Sequence, residues 1–489
     1  MPPFAWALTI IGAIGAIVGI VWFIESRFRK TVDPAVVERV ERKLDELRTE
    51  VGQIAEYFDG LPDAPPKIKD PFDEACKLEK AYKYREAIKQ YEACFQPETT
   101  ASQRAALHII IGNCFFRLSE LEESEGHYME AMTAAKEAND NKGLTTALGN
   151  IGIIYQTRGE LDKALDYHQQ ALDINRGIGR KEGEANQLGN IGLIYQTRGE
   201  LDKALDYHQQ ALDINRGIGR KEGEAAQLGN IGLIYQTKGE LDRALDYHQQ
   251  ALKIFEEIGR KEGEASVLGN IGLIYRRKGE LDKALDYHQQ SLKIEREIGR
   301  KEGEASDLGG IGLIYQTKGE LDKALDYLMQ ALKINRDIGK KEGEALDLGN
   351  IGIVYQTKRE LDKARDYYQQ ALKINRKIGR KAGEASNLGN IGLIHKNKGE
   401  LDKAHDYHQQ ALKIFKEIGG KEGEANQLGN IGIIYQTRGE LDKALDYYQK
   451  ALKIFEEIGA KIEIEKAKLN IQEILESMES SRGRKGDTV

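Results

Sequence analysis

NIGIIYQTRGELDKALDYHQQALDINRGIGRKEGEANQLG, residues 150–189, returns almost unchanged as residues 190–229; only Leu193 for Ile153 and Ala226 for Asn186 distinguish the copy. The 40-residue period continues, with repeats opening at Asn150, Asn190, Asn230, Asn270, Gly310, Asn350, Asn390 and Asn430. Such a period marks an architecture in which every repeat is one supersecondary element. Inside the repeat the apolar spacing is helical. Leu148, Ile151 and Tyr155, three then four apart, form one face, and Leu161, Ala164, Tyr167, His168, Ala171 and Ile174 form the face of a second helix. Arg158-Gly159 separates the two, and Gly179 suits the left-handed position that closes the second. Gly152 is expected to face Ala164 and Ala171, so that the helices approach closely. Each repeat is then a hairpin with one apolar side that stacked neighbours cover.

Leu148, Ile151-Gly152, Tyr155, Ala164 and Ala171, recurring eight times in register, resemble the tetratricopeptide repeat (TPR). The connection Gly179-Arg180-Lys181-Glu182-Gly183-Glu184-Ala185 is similar to that of the longer variant in Pins-type modulators, kinesin light chains and many prokaryotic TPR arrays. The resemblance covers residues 73–479 and implies an all-α fold, a right-handed TPR-like α-solenoid of helical hairpins. It divides into degenerate hairpins over 73–147, eight repeats over 148–459 and a capping helix over 460–479. Upstream, Ile111-Gly112, Phe115, Leu121, Ser124, Tyr128 and Ala131 keep a degraded pattern, and Tyr84, Ala87, Tyr91 and Cys94 look like a partial hairpin. Downstream, Gln472 replaces the packing glycine in a Lys- and Glu-rich helix, which suits a terminal cap with a polar outer face. The tail 480–489 is expected to be disordered.

The N-terminal part reads differently. All eight prolines precede residue 100, whereas the rest is Pro-free and rich in helix formers. Residues 4–24, FAWALTIIGAIGAIVGIVWFI, carry no charge, and at 1.5 Å per residue they span ~31 Å, a bilayer core. Trp6 and Trp22 stand near its ends, while Arg27, Arg29 and Lys30 follow it. The basic flank places the following chain in the cytoplasm, giving a single-pass anchor over 1–30. A cleaved signal peptide fits less well, because no basic residue precedes the run and no cleavage site follows. Gly15 and Gly19 form a GxxxG face that would let two spans pair. Over 31–60, Val37, Val40, Leu44, Leu47, Val51, Ile54 and Phe58 alternate steps of three and four, a heptad seam. It is open to two readings: a coiled coil that makes a homo-oligomer, or one amphipathic helix on the solenoid or membrane surface. Residues 61–72 read as a semi-stiff linker.

Several function classes fall away. A net charge of −7 offers nothing to nucleic acid. Cys76, Cys94 and Cys114 form no CxxC pair and fit a reducing compartment. His168, His208, His248 and His288 recur at 40 residues, but equivalent side chains about 10 Å apart cannot share a metal with ligands at ~2 Å. Packing is their expected role. No phosphate-loop motif occurs, and near-identical repeats offer no unique constellation for catalysis, so neither enzyme activity nor a cofactor is expected.

Binding remains. The resemblance places the first helices of successive hairpins along a concave groove. There the opening asparagines match those that clasp a ligand backbone in the repeats of O-GlcNAc transferase. A carboxamide both donates and accepts, and so can satisfy one peptide unit. The candidate groove residues are therefore Asn150, Asn190, Asn230, Asn270, Asn350, Asn390 and Asn430, with Gly310 a gap. The other reading has each Asn bonding a loop inside the fold. Gly149 and Ile153 replace the Lys and Asn of clamp-type members, so a carboxylate clamp is not supported. Two adjacent columns diverge between repeats: Thr146, Asn186, Ala226, Ser266, Ser306, Leu346, Ser386 and Asn426, and Ala147, Gln187, Gln227, Val267, Asp307, Asp347, Asn387 and Gln427. Arg276-Arg277 and Lys396-Asn397 replace the usual Gln-Thr. All are expected on the groove side, where they tune ligand choice unless they record drift after duplication. The sequence thus reads as a membrane-tethered adaptor for proteins or extended peptides; the alternative is a structural self-assembler forming a membrane-bound oligomer or coat.

Overall fold

The computed structural model describes residues 66–80, 83–118 and 120–486. The apolar span 4–24, the heptad stretch 31–60 and the start of the linker lie outside the described residues. These hold 21 α-helices and no strand. They fall into two compact bodies, the first ending at Ile194 and the second running from Tyr195.

In the first body the helices pair as Pro66–Lys80 with Tyr84–Glu92, Ala101–Arg117 with Leu121–Glu137, and Asn141–Thr157 with Leu161–Gly177. The second body pairs opening helices such as Lys221–Thr237, Lys261–Arg277, Lys301–Thr317 and Lys341–Thr357 with the closing helices Leu241–Glu257, Leu281–Ile298, Leu321–Asp337 and Leu361–Lys377. Hairpins Lys381–Asn397 with Leu401–Glu417 and Lys421–Thr437 with Leu441–Glu457 follow, and Lys461–Gly486 ends the series. No helix among the described residues is long and apolar enough to cross a membrane.

Glycines set the helix ends. Gly159 and Gly179 hold φ of +77° and +71°, a left-handed conformation that a side chain disfavours. The turn closes because Glu160 N–H reaches back to Tyr155 C=O at 2.9 Å, and Arg180 N–H to Asn175 C=O at 2.9 Å. Arg359 stands where other repeats carry that glycine and holds φ +63° all the same, at a cost of about 1 kcal/mol.

Packing inside the hairpin differs in one respect from the expected Gly152 contact. A Cβ added at Gly152 would meet the imidazole of His168, with Cε1 at 2.7 Å and Nε2 at 2.7 Å. Ala164 and Ala171 are fully buried, but the ring on the same face is what fills the space glycine leaves. The closing helix also buries Leu172 and Asn175, while Tyr167 stays half-buried and stacks on Tyr155 at 5.4 Å. Gly183 is needed for a second close approach, against the Asn175 side chain.

Two boundary expectations change. Residues 66–72 begin a helix rather than completing a linker, and Phe72 and Ala75 pack in one cluster with Tyr91. Pro66 opens the helix, where proline costs little, whereas Pro71 lies inside it and removes one backbone hydrogen bond. At the other end the terminal helix runs on to Gly486, past the expected limit at 479; once a helix is nucleated, each further residue adds a hydrogen bond. Residues 487–489 lie outside the described ones. The cap buries Ala467 and Ile474, yet its outer side is not wholly polar: Ile462, Leu469 and Leu475 are exposed.

Candidate functional site

In the second body, the opening helices Lys261–Arg277, Lys301–Thr317 and Lys341–Thr357 face a depression of about 740 Å³. Asn270, Gly310 and Asn350 line it as one row, and Ser266, Ser306 and Leu346 as the next. Two predicted asparagines thus share one surface with the predicted gap between them, and one divergent column lies beside them. Asn230, Asn390 and Asn430 are half-buried at the equivalent turn of their own helices. These three, with Asn270 and Asn350, make no side-chain hydrogen bond to another described residue. In the first body Asn190 is half-buried, and Asn150 Nδ2 donates to Asn113 Oδ1 at 3.3 Å.

The basic positions go elsewhere. Arg276 and Arg277 end their opening helix outside the depression, and Arg277 Nη1 donates to the Gln236 carbonyl at 3.0 Å. Arg276 is half-buried, and burial, then the neighbouring Arg277 charge, lowers its pKa. Lys396 is half-buried near the end of its own helix. In other repeats the column holds Gln356 and Gln436, which accept from Tyr368 and Tyr448 hydroxyls of their own closing helices at 2.8 and 2.7 Å. This column therefore faces the hairpin partner.

The second divergent column also lies away from free solvent. His168 Nδ1 donates to Gln187 Oε1, His208 to Gln227 and His408 to Gln427, each at 2.8 Å, and His288 to Asp307 at 2.9 Å. All eight side chains are buried. In these four repeats the column is a hydrogen-bonding partner for the preceding closing helix, 19 positions before it. Where Val267 stands, both ring nitrogens of His248 lack a partner, and burial pushes the imidazole down to about 4. Where Leu328 replaces the histidine, Asp347 accepts instead from Asn335 Nδ2 at 2.8 Å, and burial pushes its carboxyl up to about 7. Ordinary residue-by-residue reading misses this; pairing the two columns across the repeats would have revealed it.

The repeat around Gly310 departs most from the others. Asp307 bridges His288 and Ser291, whose hydroxyl lies 2.5 Å from Asp307 Oδ2 and 2.9 Å from the Ala265 carbonyl. The hydroxyl is thus held by Asp307 and not by the imidazole, which is not the pairing of a nucleophile with its base. Glu295, where other repeats have Asn or Phe, is fully buried and takes Arg300 Nε at 2.8 Å. Among the described residues no group of three or more His, Cys, Asp or Glu is arranged to hold a metal.

Helical hairpins in a 40-residue register, three of their opening helices walling one depression, define a helical-repeat protein. The tetratricopeptide repeat family matches residues 103–177, 183–257, 263–337, 308–377, 343–417 and 383–457, and the chain belongs to that family. No curated protein gives a significant match. Solved structures agree on the fold. A signal transduction ATPase with a tetratricopeptide repeat sensor, PH0952 from Pyrococcus horikoshii, is similar at TM-score 0.53 and 16% identity, over 78% of this chain and 56% of that one. A Rap protein complexed with competence and sporulation factor aligns at TM-score 0.51 and 15% identity, over 76% and 99%. The apo quorum sensor NprR from B. thuringiensis aligns at TM-score 0.51 and 16% identity, over 72% and 100%.

Proposed function

We propose that the chain is a TPR adaptor whose right-handed solenoid binds an extended protein segment along the opening helices. The observation that carries this reading is the row Asn270–Gly310–Asn350 on the depression, with carboxamides that no neighbouring side chain or loop engages. Repeats about 10 Å apart match about three residues of extended chain at ~3.3 Å each, so one carboxamide per repeat meets every third peptide unit. A Rap protein of this fold was solved with a bound factor, which is consistent with such a role.

The same proposal tethers the solenoid to a membrane through residues 4–24, with the repeats cytoplasmic; it rests on the charge-free run and the basic flank. Protease added to spheroplasts should leave the repeats intact, and digestion from outside would overturn the topology. The self-assembly reading draws on exposed Ile462, Leu469 and Leu475, and large assemblies of the purified chain would favour it.

The groove is tested by replacing Asn230, Asn270 and Asn350 with Ala. Each lost exposed hydrogen bond costs about 0.5–1.5 kcal/mol, so affinity for a cross-linked, purified partner should fall on the order of tenfold or more. The melting temperature should barely move. Earlier melting with unchanged affinity in the cold would assign the asparagines to the fold instead.

A further inference from the structure

The repeat over residues 350–389 carries nine basic residues against four acidic ones, a net charge of +5. None of the other seven repeats rises above neutral, and the whole chain stands at −7. Five of the nine lie on the closing helix Leu361–Lys377, where the exposed Lys373 and Lys377 stand one turn apart. In five other repeats a lysine at the first of these positions is followed by an acid at the second, as Lys253 is by Glu257 and Lys413 by Glu417. Here two like charges share one helix face, which weakens a helix, and neither lysine has an ion pair among the described residues. A local rule is broken in this way chiefly where a function compensates.

The same two lysines rim a slot of about 290 Å³ in their own hairpin. Buried Leu348 of the opening helix Lys341–Thr357 lines it on one side, and Ile374 and Ile378 line the other, Ile378 being 39% exposed. Lys341 and Glu344 complete the opening-helix side, but that carboxylate is already held by Arg336 Nε at 2.9 Å and Lys341 Nζ at 2.8 Å. Lys373 and Lys377 are therefore the unmatched charges over an apolar floor. At about 100° per residue, Lys341, Glu344 and Leu348 lie on the side of their helix opposite Gly343, Leu346 and Asn350, which line the asparagine depression. The slot shares no residue with that depression and is a second surface.

We propose that this slot docks an acidic segment of a partner protein, which inserts a large apolar side chain between Leu348, Ile374 and Ile378 and sets carboxylates against Lys373 and Lys377. Burial of the apolar anchor supplies affinity, while the two ammonium groups steer the approach and reject basic segments. A slot of this size suits a discrete side chain, so a flat anionic membrane surface is a poorer occupant. The proposal is independent of the asparagine row.

The test pans a phage-displayed library of random dodecapeptides on the full chain in mild detergent micelles at low salt. Wild-type protein should enrich peptides with Asp or Glu beside a large apolar residue on the order of tenfold over the input, as charge-assisted hydrogen bonds require. The enrichment should fade in high salt. Lys373→Asp combined with Lys377→Glu installs residues that other repeats already carry there, Asp173 and Glu257, so the hairpin should fold while the acidic preference falls to background. Replacing Asn270 and Asn350 with Ala should leave the preference intact; its loss there would hand these peptides to the depression and overturn the slot. An acidic preference that survives the lysine double variant, or no acidic preference at all, would also overturn it. A footprint on the wild-type chain in nanodiscs needs no variant. The selected peptide should protect Lys373 and Lys377 from acetylation in discs of phosphatidylcholine alone. Protection that requires phosphatidylserine in the disc, with none from the peptide, would assign the slot to the membrane instead.

Discussion

Arg300→Ala is expected to destabilise its hairpin by about 3–5 kcal/mol, the cost of leaving a buried charge without its partner. Glu295 is 1% exposed and bonds the Arg300 guanidinium through both carboxylate oxygens, at 2.8 and 2.5 Å. Burial raises the Glu295 pKa even with Arg300 present, so the attraction does not fully offset desolvation. Without Arg300 the carboxylate has only protonation as a remedy. An acid with a raised folded pKa gives full stability below its unfolded value and loses it as pH rises through the folded one. The variant should therefore recover stability on acidification towards pH 4.

The repeats themselves supply the control. Asn175, Asn215, Asn335 and Asn375 occupy the Glu295 position elsewhere, and Asn175 Nδ2 satisfies itself on the Ala171 carbonyl at 2.9 Å. Glu295→Asn should thus lie within about 1 kcal/mol of wild type, and adding Arg300→Ala to it should cost little more. Hydrogen exchange of Leu281–Ile298 and Lys301–Thr317 reads the effect locally, as suits a repeat array whose stability is a sum of neighbouring terms. If Arg300→Ala proves as mild as Glu295→Asn, the pair is not the buried unit described here.

The hairpins were legible because each level of the sequence repeated the same instruction. Apolar residues at steps of three and four, glycine at 159 and 179, and the 40-residue register all pointed to the same helices. The glycines at 152 and 183 were harder, because their meaning lies in the large side chain opposite, His168 or Asn175, and not in the chain nearby. The Gln187 column belongs to the opening helix, which the resemblance to the tetratricopeptide repeat puts on the groove side. It is buried because a histidine from the preceding helix needs an acceptor, a demand visible only when residues 19 apart are compared. Asn270 and Asn350 fell where the repeat pattern placed them, since residues at one register position of successive opening helices come to one wall. Arg276 and Lys396 lie in the column that faces the hairpin partner, and Arg277 reaches the Gln236 carbonyl of the preceding hairpin.

Asp347→Asn should make the protein more stable at pH 8 by on the order of 2–4 kcal/mol, and no more stable at pH 4. The Asp347 carboxyl is 5% exposed, and burial pushes it up to about 7 despite the hydrogen bond from Asn335. Its unfolded value is 3.8. The folded state therefore prefers the protonated acid, and the wild type loses stability progressively as pH rises from about 4 through 7. Asparagine keeps an acceptor for Asn335 and carries no charge, and Asn387 already serves at the equivalent position one repeat on. His248 has the opposite sign: its lowered pKa gives stability that is present above 6.5 and lost as pH falls towards 4. The two slopes overlap in the wild type, so the informative quantity is the difference between wild type and variant, followed by urea denaturation from pH 4 to 8. A constant difference would remove Asp347 as its source. A difference that grows with pH would mean that the chain retains an unfavourable ionised carboxylate at the floor of the depression.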